Sequence, residues 1–413
     1  MTPPPALKRR DDLTFKANLA RTRHGWLRLT PAYSVHLVAE LLDAHAPAGS
    51  VVLDPFCGTG TTALVCAERG VACDTTDINP FLLWLAAAKS RLYAPAELLR
   101  LEAAGDEVAR ALRADGCEPA WRPPLHQIEK WWDAPTLRAL ALAREALARV
   151  AKDEPPAAVD LLKVAFCRTM IERANVSFGH QSMSFKRADA AREDVTDAAD
   201  VLAAVWRRNL AEIAAAAASP VAPVVRHVAC DARDLRAALP AGRYDCVITS
   251  PPYPNRMSYI RELRPYMYWL GYLADGRAAG ELDWQAIGGT WGCATSNVAK
   301  WRAAPGAEVP SEGFEATLAA IARRSQLLAN YVRKYFHDMV AHCAGLFAVA
   351  RPGATVHYIV GNSKFYDTVL PVEALFADLL THAGFAGASF RAIRKRTSKK
   401  ELFEFVVSAR KPA

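Results

Sequence analysis

The 413-residue sequence contains no Cys-x-x-Cys pair, although it has nine cysteines. Closely spaced thiols mark structural zinc sites and redox pairs, so their absence disfavours both, and no metal site is expected. Four of the cysteines, Cys66, Cys167, Cys230 and Cys246, lie in apolar stretches. That placement predicts buried, reduced thiols in a cytoplasmic protein rather than a disulfide framework. No segment reaches ~18 uninterrupted apolar residues, so no membrane-spanning helix is expected. The opening residues, MTPPPALKRRDD, lack the apolar run of an export signal. A G-x-x-x-x-G-K-[ST] loop is missing as well, which disfavours the usual nucleoside-triphosphate cradle. No internal repeat is found.

What is present is an ordinary soluble balance, 52% hydrophobic and 23% charged, in a chain long enough for one large or two ordinary domains. The formal net charge of +8 hints at an acidic partner such as nucleic acid. The basic residues are clustered: Arg391 to Lys400, RAIRKRTSKK, holds six of them and no acid.

Secondary-structure periodicity divides the chain in three. TPAYSVHLVAELLDAHA (Thr30 to Ala46) has helical spacing, with Thr30 or Pro31 placed to start it. GSVVLDPFCGTGTTALVCAERG then reads as strand, tight glycine turn and helix, with Gly70 closing the helix. VACDTTDINP is a second strand and FLLWLAAAKSRLY a second helix, the start of a doubly wound α/β sheet. From residue 94 to 222 the alternation gives way to helical patterns over Ala96–Ala114, Thr136–Val150, Ala157–Ala174 and Ala198–Ala217. From 223 to 413 it resumes with PVVRHVACDARDL, YDCVITSPPY and ATVHYIVGNS. The chain closes on a predicted antiparallel hairpin around the basic turn.

Two turns carry the chemical interest. DPFCGTG (Asp54 to Gly60) joins a strand to a helix, where backbone amides can meet a ligand. It is not the dinucleotide fingerprint, because Ala63 stands where a third glycine is usual. Asp54, Asp77 and Asp231 each follow a strand, and in a parallel sheet such strand ends line one crevice. The second turn, TSPPY (Thr249 to Tyr253), ends a strand with two backbone-restricting prolines.

DPFCGTGTT, TDINP, CDARDL and TSPPY, in this order, resemble the motifs of S-adenosylmethionine-dependent DNA amino-methyltransferases, most closely the N4-cytosine branch. RHGWLRLTPAYSVHLVAELL resembles the N-terminal cofactor motif of that family. The resemblance implies a Rossmann-like methyltransferase sheet split by the helical insertion, residues 1–93 holding the cofactor motifs and 223–413 the TSPPY motif. By the same resemblance, Asp54, Phe56, Gly58 and Gly60 surround the methionine part of the cofactor. Asp77 takes its ribose and Asp231 its adenine amine, while His24, Thr30 and Pro31 lie near the methionine carboxylate.

Ser250, Pro251, Pro252 and Tyr253 would form the catalytic turn. An exocyclic amine is a poor nucleophile because its lone pair is delocalised into the ring. The Ser250 hydroxyl and Pro251 carbonyl can accept its hydrogens and turn the lone pair outward, and Tyr253 offers a stacking face. Direct in-line transfer of a sulfonium methyl then needs positioning and no metal. Asn255, Arg256 and Asn362 are candidate contacts to the target nucleotide. Tyr259, Tyr266, Tyr268, Trp269 and Tyr272 read as core packing. The C5-cytosine branch, whose thiolate nucleophile follows a proline, is disfavoured because the chain has no Pro-Cys dipeptide.

The expected substrate is a cytosine flipped out of double-stranded DNA. N6-adenine is the alternative, and an RNA base methyltransferase or a non-catalytic nucleic-acid-binding module the more distant ones. A restriction endonuclease acting separately is a compatible partner. Sequence readout is expected from the insertion or from residues 283–302, taken as a long loop.

Overall fold

The computed structural model describes residues 10–14, 16–19, 22–29, 32–114, 116–177, 184–186, 198–396 and 401–413. Ser34 opens the first long helix, α1 (Val35–His45), its Oγ accepting from His36 N at 3.2 Å. The start expected at Thr30 or Pro31 thus moves inward to a residue whose side chain can cap the free amides. Thr30 and Pro31 themselves lie outside the described residues. Strand β1 (Val51–Asp54), helix α2 (Thr61–Arg69), strand β2 (Ala72–Asp77) and helix α3 (Pro80–Ser90) follow as expected, and Gly70 ends α2 at φ 67°.

The insertion contributes α4 (Pro95–Leu112), α5 (Ala134–Val150), α6 (Pro156–Glu172) and α7 (Ala198–Ala217). Strands β3 (Val225–Ala229) and β4 (Tyr244–Thr249) resume the alternation. Helices α8 (Tyr259–Trp269), α9 (Gly276–Gln285), α10 (Cys293–Lys300), α11 (Phe314–Ala322) and α12 (Gln326–Val349) lead to strand β5 (Ala350–Gly361). Helix α13 (Val372–His382) precedes the closing hairpin of β6 (Ala386–Lys395) and β7 (Phe403–Arg410). Most of the basic turn, residues 397–400, lies outside the described residues.

Among the described residues seven strands form one sheet in the order β3-β2-β1-β4-β5-β7-β6. β1 to β5 run parallel, while β7 lies antiparallel to both of its neighbours. The central strands are covered on both faces, which accounts for their continuous apolar sequence. Val52, Cys246 and Ile248 pack with α1 on one side. Leu53 and Val247, displaced by one residue, pack with α12 and α13 on the other.

The insertion does not have a core of its own. Its helices share one apolar cluster with α3 and α8, centred on Trp269, which meets Trp132 and Phe166 with ring centroids 5.6 Å away. In the aromatic stretch after TSPPY, Tyr266, Tyr268 and Trp269 are buried packing as expected, whereas Tyr259 is only half-buried and lines the cleft at the end of β4. The insertion braces the two helices that follow the TDINP and TSPPY turns. Cys66, Cys167, Cys230 and Cys246 are all buried. Among the described residues no helix is long and apolar enough to cross a membrane.

Candidate active site

The strand order reverses between β1 and β4, and at such a switch point the outgoing loops diverge and leave a crevice. The Asp54–Gly60 and Ser250–Tyr253 turns meet there around a cleft of about 720 Å³. Phe56, Gly58, Asp77 and Asp231 line one part of it, and the whole Ser250–Tyr253 turn together with Asn255 lines another. Topology thus brings together motifs almost two hundred residues apart.

The three strand-end acids have three different environments. Asp77 faces the cleft, its carboxylate accepting from Gly58 N at 3.0 Å and Asn79 N at 2.9 Å. Burial pushes its carboxyl up to about 6, against the pull of those amides. Asp231 also lines the cleft, but Arg233 holds it through a backbone amide at 2.9 Å and a guanidinium contact at 2.6 Å. Burial would raise the Asp231 carboxyl; the Arg233 hydrogen bonds and charge outweigh it and hold the group low. Arg233 therefore competes for the acceptor that the adenine assignment requires.

Asp54 differs from expectation. It is fully buried and does not line the cleft. Its Oδ1 accepts from Thr249 Oγ1 at 2.6 Å and Phe56 N at 3.2 Å, and its Oδ2 from the Tyr33 hydroxyl at 3.3 Å. Burial pushes this carboxyl up to about 7. Asp54 ties the end of β1 to the residue just before Ser250, so it sets the spacing of the two turns.

Gly60 is likewise behind the cleft. At φ 76°, a Cβ there would stand 2.7 Å from Ala86 Cβ, so glycine is needed for α2 to start against α3. His24 is buried away from the cleft with Nε2 3.4 Å from Glu68 Oε2. Asn362 is also a tie rather than a wall of the cleft. Its side chain donates to Glu401 O at 2.9 Å and accepts from Phe403 N at 2.8 Å, which clips the start of β7 to the end of β5.

The TSPPY turn is ordered by its neighbours. The Ser250 hydroxyl donates to Ile359 O on β5 at 3.0 Å, so its lone pairs, not its hydrogen, remain for a ligand. The Tyr335 hydroxyl donates to the Pro252 carbonyl at 2.7 Å. Among the described residues no hydrogen bond engages the Pro251 carbonyl. The Tyr253 hydroxyl donates to Glu404 Oε1 at 3.3 Å, and Arg396 lies 5.4 Å from the centre of its ring. Burial, aided by Glu404, pushes the phenol well above its ordinary range. Gly361 permits this arrangement, since a Cβ there would come within 2.8 Å of the Tyr253 ring.

Tyr33, Asn79, Arg394, Arg396 and Glu404 line the cleft without having been singled out from the sequence. Asn79 stands inside the TDINP motif and caps α3, with its Oδ1 accepting from Phe81 N at 3.0 Å. Arg394 and Arg396 were visible only as part of a charge run. Arg256 was expected at the target and lies in a side hollow that adjoins the cleft, at φ 65°. Residues 283–302 are not a long loop: they contain α10, and Asp283 fixes the segment through Ser258 and through Trp291 N at 2.7 Å.

Residues 18–87 match a family model described as DNA methylase, of the N6/N4 type. The Type II methyltransferase M.AvaI of Nostoc sp. is 30% identical over 69 residues, 16% of this chain and 14% of that protein. M.MjaII of Methanocaldococcus jannaschii is 32% identical over 82 residues, 20% of this chain and 16% of the relative. M.BsoBI of Geobacillus stearothermophilus is 33% identical over 69 residues, with 16% and 14% covered. The match thus spans roughly a seventh of each relative's length, and the TSPPY turn lies outside residues 18–87. Among solved structures, TrmN from Thermus thermophilus aligns over 96% of this chain and 52% of its own at 13% identity and a TM-score of 0.30. That likeness is too low to bear on function, and the fold is read from the strand order. Over residues 18–87, which carry β1, the glycine turn and β2, the chain is similar to DNA methylases of the N6/N4 type.

Proposed function

We propose that the protein methylates the exocyclic amine of a base in DNA, with N4 of a flipped cytosine as the target. The observation that carries this reading is the Ser250 hydroxyl, whose hydrogen is committed to Ile359 O beside the unengaged Pro251 carbonyl. A hydroxyl held this way is an acceptor, and two acceptors on one rigid turn suit the two hydrogens of an amine.

The residues fit the cofactor. The Asp77 carboxylate faces the cleft with lone pairs beyond the two amides it already accepts from, as ribose hydroxyls require. Phe56, Ile78 and Leu82 supply apolar wall. When bound, S-adenosylmethionine supplies a sulfonium-activated methyl group. The chain's part is orientation. Ser250 Oγ and the Pro251 carbonyl hold the amine hydrogens, so that the nitrogen lone pair is turned away from the ring. Neither group is a base at neutral pH, so they act by direction and by stabilising the positive charge that grows on nitrogen. Tyr253, steadied by Glu404, supplies a ring face for the extracted base. By the resemblance of its motif to the family, Ser at the head of the turn favours cytosine, the adenine-directed branch having Asp or Asn in its place.

Transfer of tritiated methyl from S-adenosylmethionine to duplex DNA, followed by chromatography of the nucleosides, tests the reading. Label is expected in N4-methylcytosine. Label only in N6-methyladenine would reassign the base, and label only in RNA would overturn the DNA reading.

A further inference from the structure

Two more hollows, of about 550 and 310 Å³, adjoin the cleft, and all three share Asn255. The larger is lined by Arg256, Arg261, Lys364 and Arg396, with Glu262 as its acid, and by the aromatic rings of Phe365 and Tyr366. Arg396 and Leu402 belong both to this hollow and to the cleft, so the two are continuous at the Tyr253 ring. Its walls come from the start of α8 and from a short hairpin, Ser363–Phe365 with Thr368–Leu370, that the sequence did not announce.

Two features set this groove apart. The first is charge that is only partly compensated: Arg256 and Arg261 form no ion pair among the described residues, whereas Lys364 is paired with Glu401 at 2.6 Å. Arg396 spends its guanidinium on the Tyr253 face and on Asn362 O at 3.1 Å. The second is backbone strain. Among the described residues only Gln127, Arg256 and Tyr366 are non-glycine residues with positive φ, and two of the three line this groove. Arg256 is held in that conformation by the Tyr331 hydroxyl, which accepts from its amide at 3.3 Å. Such strain persists only where the surroundings impose it, and it clusters at ligand sites. Cations interleaved with aromatic faces beside a base-binding cleft are the makings of a nucleic-acid strand track.

We propose that this groove holds the phosphate backbone flanking the withdrawn nucleotide, with Arg256, Arg261 and Lys364 as phosphate contacts, Lys364 exchanging its Glu401 partner for the strand. The proposal rests on the DNA reading above and adds the path of the strand. It assigns backbone binding to the α8 start and the hairpin bases rather than to the insertion.

The test is the salt dependence of binding to a fluorescein-labelled duplex of mixed sequence, measured with the full chain. The double variant Arg261→Ala/Lys364→Ala is expected to bind roughly 10-fold more weakly, uniformly across sequences. Its slope of log K against log salt should be shallower by about 2, one phosphate per lost cation. Arg261→Lys/Lys364→Arg should keep the wild-type slope, and S-adenosylmethionine binding by calorimetry should be unchanged in both. If the wild-type chain methylates duplex DNA and the double alanine variant keeps the wild-type slope, the groove assignment falls alone. A wild-type chain that binds single-stranded RNA but not the duplex overturns both readings.

Discussion

The helical insertion and the cleft-side groove are both rich in arginine, yet they use it in opposite ways. On the insertion most of the described guanidinium groups are matched by carboxylates: Arg100 with Glu154 at 2.7 Å, Arg207 with Asp106 at 3.0 Å, Arg208 with Glu172 at 2.5 Å, and Arg113 and Arg168 with Asp200 and Glu212. Such exposed pairs contribute only about 0–1 kcal/mol each, but they leave little net field for a polyanion. In the groove Arg256 and Arg261 have no such partners among the described residues. Counting basic residues along the sequence does not separate these regions; pairing in three dimensions does. The insertion reads as a brace, and the groove as the face turned to the substrate.

The comparison can be sharpened from its strongest effect downward. Ser250→Ala should lower the methylation rate by roughly 100-fold or more, as loss of one oriented transition-state group does, with cofactor affinity unchanged in calorimetry. Asp77→Ala should weaken cofactor binding by about 10- to 100-fold, the range of a hydrogen bond to a charged group, and calorimetry again reads it. The Asp77 carboxyl sits at about 6, above its ordinary value, and its ionised form is the better acceptor. Cofactor affinity should therefore be flat above neutrality and fall as the pH drops through about 6, by up to ~10-fold per unit. Asp77→Asn should abolish that dependence. The smallest effect belongs to the brace: Arg207→Ala/Arg208→Ala on α7 should leave the salt slope of duplex binding unchanged. A shallower slope in that variant would move the DNA to the insertion and break the comparison.

The α/β alternation, the insertion helices and the closing hairpin were legible because each rests on local pattern: apolar runs for buried strands, helical spacing, and Gly70 as a stop. The two turns were legible for the same reason, as short strings of glycine and proline after strands. Less legible was what each polar residue faces. Asp54 looked like a ligand-facing acid, but Thr249, distant in sequence, takes one of its oxygens. Asn362 was placed at the target and instead clips β7, through an amide 41 residues on. His24 sits against Glu68, outside the cleft. Arg233 beside Asp231 was readable as a neighbouring charge, but not as a chelate on that carboxylate. Arg261 and Lys364 were invisible as a pair because only the fold brings α8 beside the 363–370 hairpin. Local chemistry named the turns, and long-range pairing decided which atoms remain free to act.

Modification-sensitive sequencing of DNA from a host expressing either the wild-type chain or Ser250→Ala tests the central claim most directly. The account predicts N4-methylcytosine at one short recurring sequence with the wild type and unmodified DNA with the variant. Unmodified DNA from the wild-type host, or the same marks from both, would contradict it.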